Sequence, residues 1–212
     1  EESAVALATR NLALAEQMHL EVIAPCSACY LVLNKAQHVL LEYPKVAANV
    51  HRGLAAIGLT YHGHASVRHP LDVLMNDVGA DAIKARVTHP LSGYRVAPYY
   101  GCQIIRPYGA FDDPFRPVLL DRLMTWLGAE TVEYPVKARC CGGSLMGTME
   151  DIGLRLNYLL LKEAKSRKAN VLATVCPLCQ YNLEAYQGPM HRAFGENVDL
   201  PVVYFTQLMG LA

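Results

Sequence analysis

The sequence carries no surplus of charge: nineteen basic residues face nineteen acidic ones. A nucleic-acid binder usually shows a basic patch or stripe, so the balance argues against that class and gives no pull towards an anionic membrane surface. Long apolar runs are also missing. The longest, around Leu159–Leu161 and Leu200–Phe205, fall well short of the roughly 18 residues that cross a bilayer, so no membrane span is expected. The N-terminus opens Glu1-Glu2 without the basic and apolar regions of a secretory signal, which makes the cytoplasm the default location. An even cysteine count is lacking too, and seven cysteines argue against a plain disulfide framework. No CxxCxxCxxxCP run occurs, so the ferredoxin spacing of cluster ligands is absent.

What is present is a chain of 212 residues, 52% apolar and 18% charged, able to bury a sizeable core. Apolar spacing predicts helices over 4–19, 30–42, 46–57, 115–127 and 148–168, with two helical pieces over 70–87 broken near Gly79. Short apolar runs predict strands at 20–24, 59–62, 94–100, 131–134, 171–175 and 201–204. Alternation of this kind gives an α/β fold with short parallel sheets flanked by helices.

Helix, short strand, CxxC, helix occurs twice. Cys26 and Cys176 stand 150 positions apart, as do Cys29 and Cys179, Leu33 and Leu183, and Gln37 and Gln187. This register marks an internal duplication, which decides the architecture before any local feature does. The chain divides into two pseudo-repeated cysteine-rich lobes. Residues 1–90 hold the remainder of a first lobe plus a connection, and 91–212 a complete second lobe. The counterpart of Cys140-Cys141 in the first lobe would fall upstream of Glu1, so the chain is expected to be a fragment of a longer one.

The second lobe offers Cys102, then Cys140-Cys141-Gly142-Gly143, then Cys176-x-x-Cys179. Zinc takes four ligands, and ordinary [2Fe–2S] and [4Fe–4S] clusters take four cysteines. Five thiols with an adjacent pair exceed both, and suit an extended iron–sulfur cluster. Gly142 and Gly143 let backbone N–H groups approach sulfur closely or simply form a tight turn. His62, His64 and His69 have no cysteine or carboxylate at ligand spacing and read as loop histidines. Tyr99, Tyr100, Met146 and Met149 read as packing residues.

Tyr99-Tyr100-Gly101-Cys102, Ala138-Arg139-Cys140-Cys141-Gly142-Gly143 and Cys176-Pro177-Leu178-Cys179-Gln180-Tyr181-Asn182 resemble the cysteine-rich CCG domain, and more narrowly the B subunit of heterodisulfide reductase. Val67–Leu74 is similar to the connection between the halves of that family. The resemblance implies one non-cubane [4Fe–4S] cluster per five-cysteine motif. Cys102, Cys140, Cys141, Cys176 and Cys179 would be the metal-binding and catalytic set. Cys26 and Cys29 would be the last two ligands of a first cluster that needs residues upstream of Glu1. It also implies a small disulfide substrate such as coenzyme M–coenzyme B. The implied partners are the ferredoxin-like C subunit and the flavin-containing A subunit of a heterodisulfide reductase complex. Arg106 and Arg139, near Cys102 and Cys140 in sequence, are candidates to meet an anionic substrate. Two other classes stay open: an electron-transfer subunit of a flavin-dependent dehydrogenase or sulfur-oxidation complex, and a zinc protein. The missing ferredoxin run weakens the first, and the Cys140-Cys141 doublet weakens the second.

Overall fold

Two compact units, Glu1–Pro70 and Leu71–Ala212, make up the chain; the computed structural model describes residues 2–109 and 111–212. In the first unit, α1 (Glu2–Gln17) buries Val5, Ala8, Thr9, Leu12 and Ala13, the i, i+3, i+4, i+7 stripe of a helix with one apolar face. β1 (Val22–Ile23) follows, and Cys26 in extended conformation caps α2 (Ser27–Glu42). Pro44 opens α3 (Pro44–Ala55), where its fixed φ and missing N–H are no handicap. β2 (Val67–Arg68) pairs in parallel with β1.

The expected strand at 59–62 is not one. The Leu59 N–H bonds back to the Leu54 carbonyl, and the Glu16 carboxylate accepts the N–H groups of His62, His64 and Ala65, at 2.8 Å for His62 and 2.9 Å for Ala65. A side chain therefore takes the amides that a sheet partner would need, and pairing begins only at Val67. Burial alone would raise the Glu16 carboxyl pKa, but these three donors outweigh it and leave it lowered. Such a group stabilises the fold above its unfolded pKa, and that contribution is lost as pH falls through the lowered folded value. Glu16→Gln is expected to cost about 1 kcal/mol at neutral pH, kept small by solvent screening. The gap to the parent should close in acid, as read by urea unfolding across pH.

In the second unit a helical stretch comes first: α4 (Pro70–Val73), a π-helical turn (Leu74–Val78) and α5 (Gly79–Lys84). Residues 71–90 cluster with the second unit. Ile83 is buried there, and the Thr88 and His89 N–H groups bond to the Ala212 carbonyl at 2.7 and 2.6 Å. Then come β3 (Arg95–Tyr99), α6 (Leu119–Trp126), β4 (Glu130–Thr131), a 3-10 turn (Gly143–Leu145), α7 (Glu150–Ser166), β5 (Val171–Thr174), α8 (Pro177–Ala185), α9 (Gln187–Phe194), β6 (Val202–Tyr204) and α10 (Phe205–Leu211). The strands form one parallel sheet in the order β4-β3-β5-β6. β5 is buried at every position, as expected of a parallel strand covered on both faces. α6 starts later than the apolar pattern predicts: Pro117 disfavours helix at Arg116, while the Asp112 carboxylate accepts the Val118 and Leu119 N–H groups.

The fold is thus the expected α/β arrangement, and the repeat shows in side chains. Gln37 donates to the Ala65 carbonyl at 2.7 Å, two residues before β2, and Gln187 donates to the Leu200 carbonyl at 2.8 Å, two residues before β6. Cys26 and Cys176 cap their helices at nearly the same backbone angles. Among the described residues, no helix is long and apolar enough to cross a membrane.

Candidate metal centre

The carboxyl ends of parallel strands gather at one edge of a sheet, where open α/β folds place their ligands. Cys102 lies three residues beyond β3, and Cys176 lies two beyond β5 as the cap of α8. One helical turn later α8 presents Cys179. The loop after β4 brings Cys140 and Cys141 to the same place: Cys141 Sγ stands 3.5 Å from Cys179 Sγ. Cys102 hydrogen-bonds to Cys140, Cys140 to Cys141, and Cys179 to both Cys141 and Cys176. Five thiols from three loops therefore form one run, Cys102–Cys140–Cys141–Cys179–Cys176. Among the described residues, no three His, Cys, Asp or Glu side chains are arranged to hold a single metal ion.

Backbone geometry serves these sulfurs. Gly142, in the left-handed region at φ 77°, donates its N–H to Cys140 Sγ at 3.3 Å, and the Gly143 N–H bonds to Cys141. A Cβ on Gly101 would sit 3.5 Å from Cys179 Sγ, so only glycine leaves that side of the sulfur open. Hydrogen bonds from the Cys102 and Cys141 thiols pull the Cys140 pKa down to about 2, against the opposing effect of burial. Cys102 is pushed up, by its bond to Cys140 and then by burial. Cys179 is pushed up by its bonds to Cys141 and Cys176, then by burial.

The two arginines separate. Arg106 is half-buried, and its guanidinium donates to the Pro114 carbonyl and, at 2.5 Å, to the Ala138 carbonyl, with Phe115 beneath it at 5.7 Å. It ties the Cys102 loop to the Cys140 loop. Arg139 is exposed beside exposed Cys140, and its carbonyl accepts the buried Tyr99 hydroxyl at 2.7 Å. Arg106→Ala orphans two carbonyls and is expected to lower stability by about 2 kcal/mol, in the range for hydrogen bonds to charged groups. Urea unfolding measures the loss, and Arg106→Lys should recover part of it.

Cys26 and Cys29 open α2 in the first unit, Cys26 half-buried and Cys29 exposed. Cys29 borders a groove of about 520 Å³ between α1 and α2, lined also by Leu7, Asn11, Ala28 and Val32. His62 and His64 stack on each other, and buried His69 meets the edge of Tyr30. Sequence reasoning missed Asn157 and Asn182, both buried: the Asn182 side chain donates to the Cys141 carbonyl, and Asn157 braces Asn182. Asn182 stands in the Cys176–Asn182 segment, and nothing in the sequence sets Asn157 apart from the other polar residues of α7.

A cysteine-rich domain of the CCG family matches residues 96–184. The chain is 33% identical over 212 residues to the B subunit of the Ferredoxin/F(420)H(2)-dependent CoB-CoM heterodisulfide reductase of Methanosarcina acetivorans, covering 98% of this chain and 70% of that one. It is 34% identical over 205 residues to the 8-methylmenaquinol:fumarate reductase membrane anchor subunit of Wolinella succinogenes, covering 96% and 71%. A hypothetical protein from Helicobacter pylori shares the fold, with TM-score 0.73 and 15% identity, over 98% of this chain and 38% of that one. The chain belongs to the family of heterodisulfide reductase B subunits. It is an iron–sulfur subunit of the heterodisulfide-reductase type, within a family of oxidoreductases.

Proposed function

We propose that this chain is the iron–sulfur catalytic subunit of a heterodisulfide-reductase-type complex, cleaving or forming a small disulfide such as coenzyme M–coenzyme B. Its cluster is a non-cubane [4Fe–4S] centre on Cys102, Cys140, Cys141, Cys176 and Cys179. The carrying observation is the convergence of five thiols from three loops. The donor set fits such a group. Five sulfurs exceed what zinc or a four-cysteine cluster uses, and the N–H groups of Gly142 and Gly143 already point at two of them. When bound, the cluster supplies single electrons and a coordination position for a substrate sulfur.

The chain's own residues do the rest. Tyr99 fixes the Arg139 carbonyl and Arg106 fixes the Ala138 carbonyl, so the two peptide groups leading into the cysteine doublet are both held. Arg139, facing solvent, would meet the anionic end of a disulfide substrate, and Arg106 is committed to the loop. Cys26 and Cys29 would be two ligands of a first cluster. The ferredoxin-like C subunit and the flavin-bearing A subunit would deliver electrons, and the complex would work in the cytoplasm.

A second reading is favoured by one comparison: identity to the menaquinol:fumarate reductase anchor subunit is as high as to the heterodisulfide reductase subunit. In that reading the same centre only passes electrons. Anaerobic reconstitution followed by electron paramagnetic resonance decides between them. The catalytic reading expects about four irons per complete motif and a spectrum that changes on adding coenzyme M or coenzyme B. An iron-bearing protein whose spectrum ignores every thiol tried supports the relay instead, and a protein that takes up only zinc overturns both.

A further inference from the structure

Asn182 follows Cys179 by one turn of α8, so the helix aims a thiol and an amide at the same loop. The Cys179 sulfur lies 3.5 Å from the Cys141 sulfur, and Asn182 Nδ2 donates to the Cys141 carbonyl at 2.9 Å. The second N–H of that amide goes to Asn157 Oδ1 on α7 at 3.0 Å, and Asn157 Nδ2 donates to the Asn182 backbone carbonyl at 3.0 Å. Asn157 is 0% and Asn182 2% exposed. Two buried amides are costly unless every strong donor is used, and here both hydrogens of Asn182 are. A Cβ on Gly143 would lie 3.6 Å from the Asn182 amide and 3.4 Å from Cys141 Sγ, so amide, glycine and sulfur pack against one another.

The other half of the duplication supplies an internal control. Under the 150-residue register Leu7 takes the place of Asn157 and Val32 that of Asn182. Both are exposed and line the α1–α2 groove. α1 and α2 pack in the same register without the amides, and leave a groove at the level where α7 and α8 bury theirs.

We propose that Asn182, braced by Asn157, is a positioning residue that fixes the Cys141 sulfur against the Cys179 sulfur. The assignment rests on the reading of these cysteines as one centre, but its test needs no metal. In the metal-free full chain, diamide takes up two electrons and two protons as the Cys141 and Cys179 thiols join, and the disulfide is counted by peptide mass spectrometry. Asn157→Leu combined with Asn182→Val transplants the other half's pair. It is expected to slow that cross-link about tenfold, the factor that corresponds to one lost buried hydrogen bond, measured on protein that circular dichroism shows to be folded. Should the double variant not fold, Asn157→Ala keeps the Asn182–Cys141 bond and loosens only its brace; about a threefold slowing is expected, within the spread of a single hydrogen bond. A folded variant that cross-links at the parental rate overturns the proposal. Iron uptake by the parent is measured in parallel: a parent that takes up none overturns the iron–sulfur reading and leaves the cross-linking comparison intact.

Discussion

Cys141→Ser is expected to strip reconstituted protein of its iron, with Cys29→Ser as the contrast. Cys141 is buried at the middle of the sulfur run, touching Cys140 on one side and Cys179 on the other. Serine there removes a thiolate ligand and breaks the run in two. Outer-shell partners alone are worth roughly 10–100-fold in metal affinity, so a ligand should exceed that range. Cys29 is exposed in the first unit, and its loss should leave the iron of the second unit in place. Iron per chain and the visible spectrum after anaerobic reconstitution read both variants. Equal iron in parent and Cys141→Ser would end the assignment of this centre.

Gly109→Ala is expected to be the most damaging single methyl in the described structure. A Cβ there would lie 2.4 Å from the Ile104 carbonyl oxygen, 2.5 Å from Ile105 Cα and 2.6 Å from its carbonyl carbon. All three atoms are backbone, so no side chain can swing aside and the loop that follows Cys102 must shift. Overpacking typically costs about 1–3 kcal/mol, and a rigid backbone contact belongs at the upper end. For the second unit that is a fall in unfolding midpoint of about 10 °C. Gly147→Ala is the control, because a Cβ there meets nothing within 4 Å. Thermal unfolding by circular dichroism compares the two, and matched midpoints would refute the steric argument.

The cysteine centre was legible in the sequence because thiols have few other uses and their spacing survives without tertiary detail. The same holds for β3 and β5, whose near-continuous apolar runs report burial on both faces. What could not be read depends on partners distant in sequence. The 59–62 run has strand composition, and only the Glu16 carboxylate, more than forty residues earlier, explains why it is loop. Asn157 is one polar residue among several in an amphipathic helix until α8 brings Asn182 to it. Arg106 sat near Cys102 in sequence and suggested a substrate contact. Its carbonyl partners at Pro114 and Ala138 became visible only once two loops were laid side by side.

The run of sulfurs has two unlike ends. On one side half-buried Cys102 lies next to exposed Cys140, and on the other Cys176 is 1% exposed. A molecule in solution would therefore meet Cys140 and Arg139 first, both of which are exposed. The deep end, sealed behind β5 and the first turn of α8, can trade with the outside only through its neighbours.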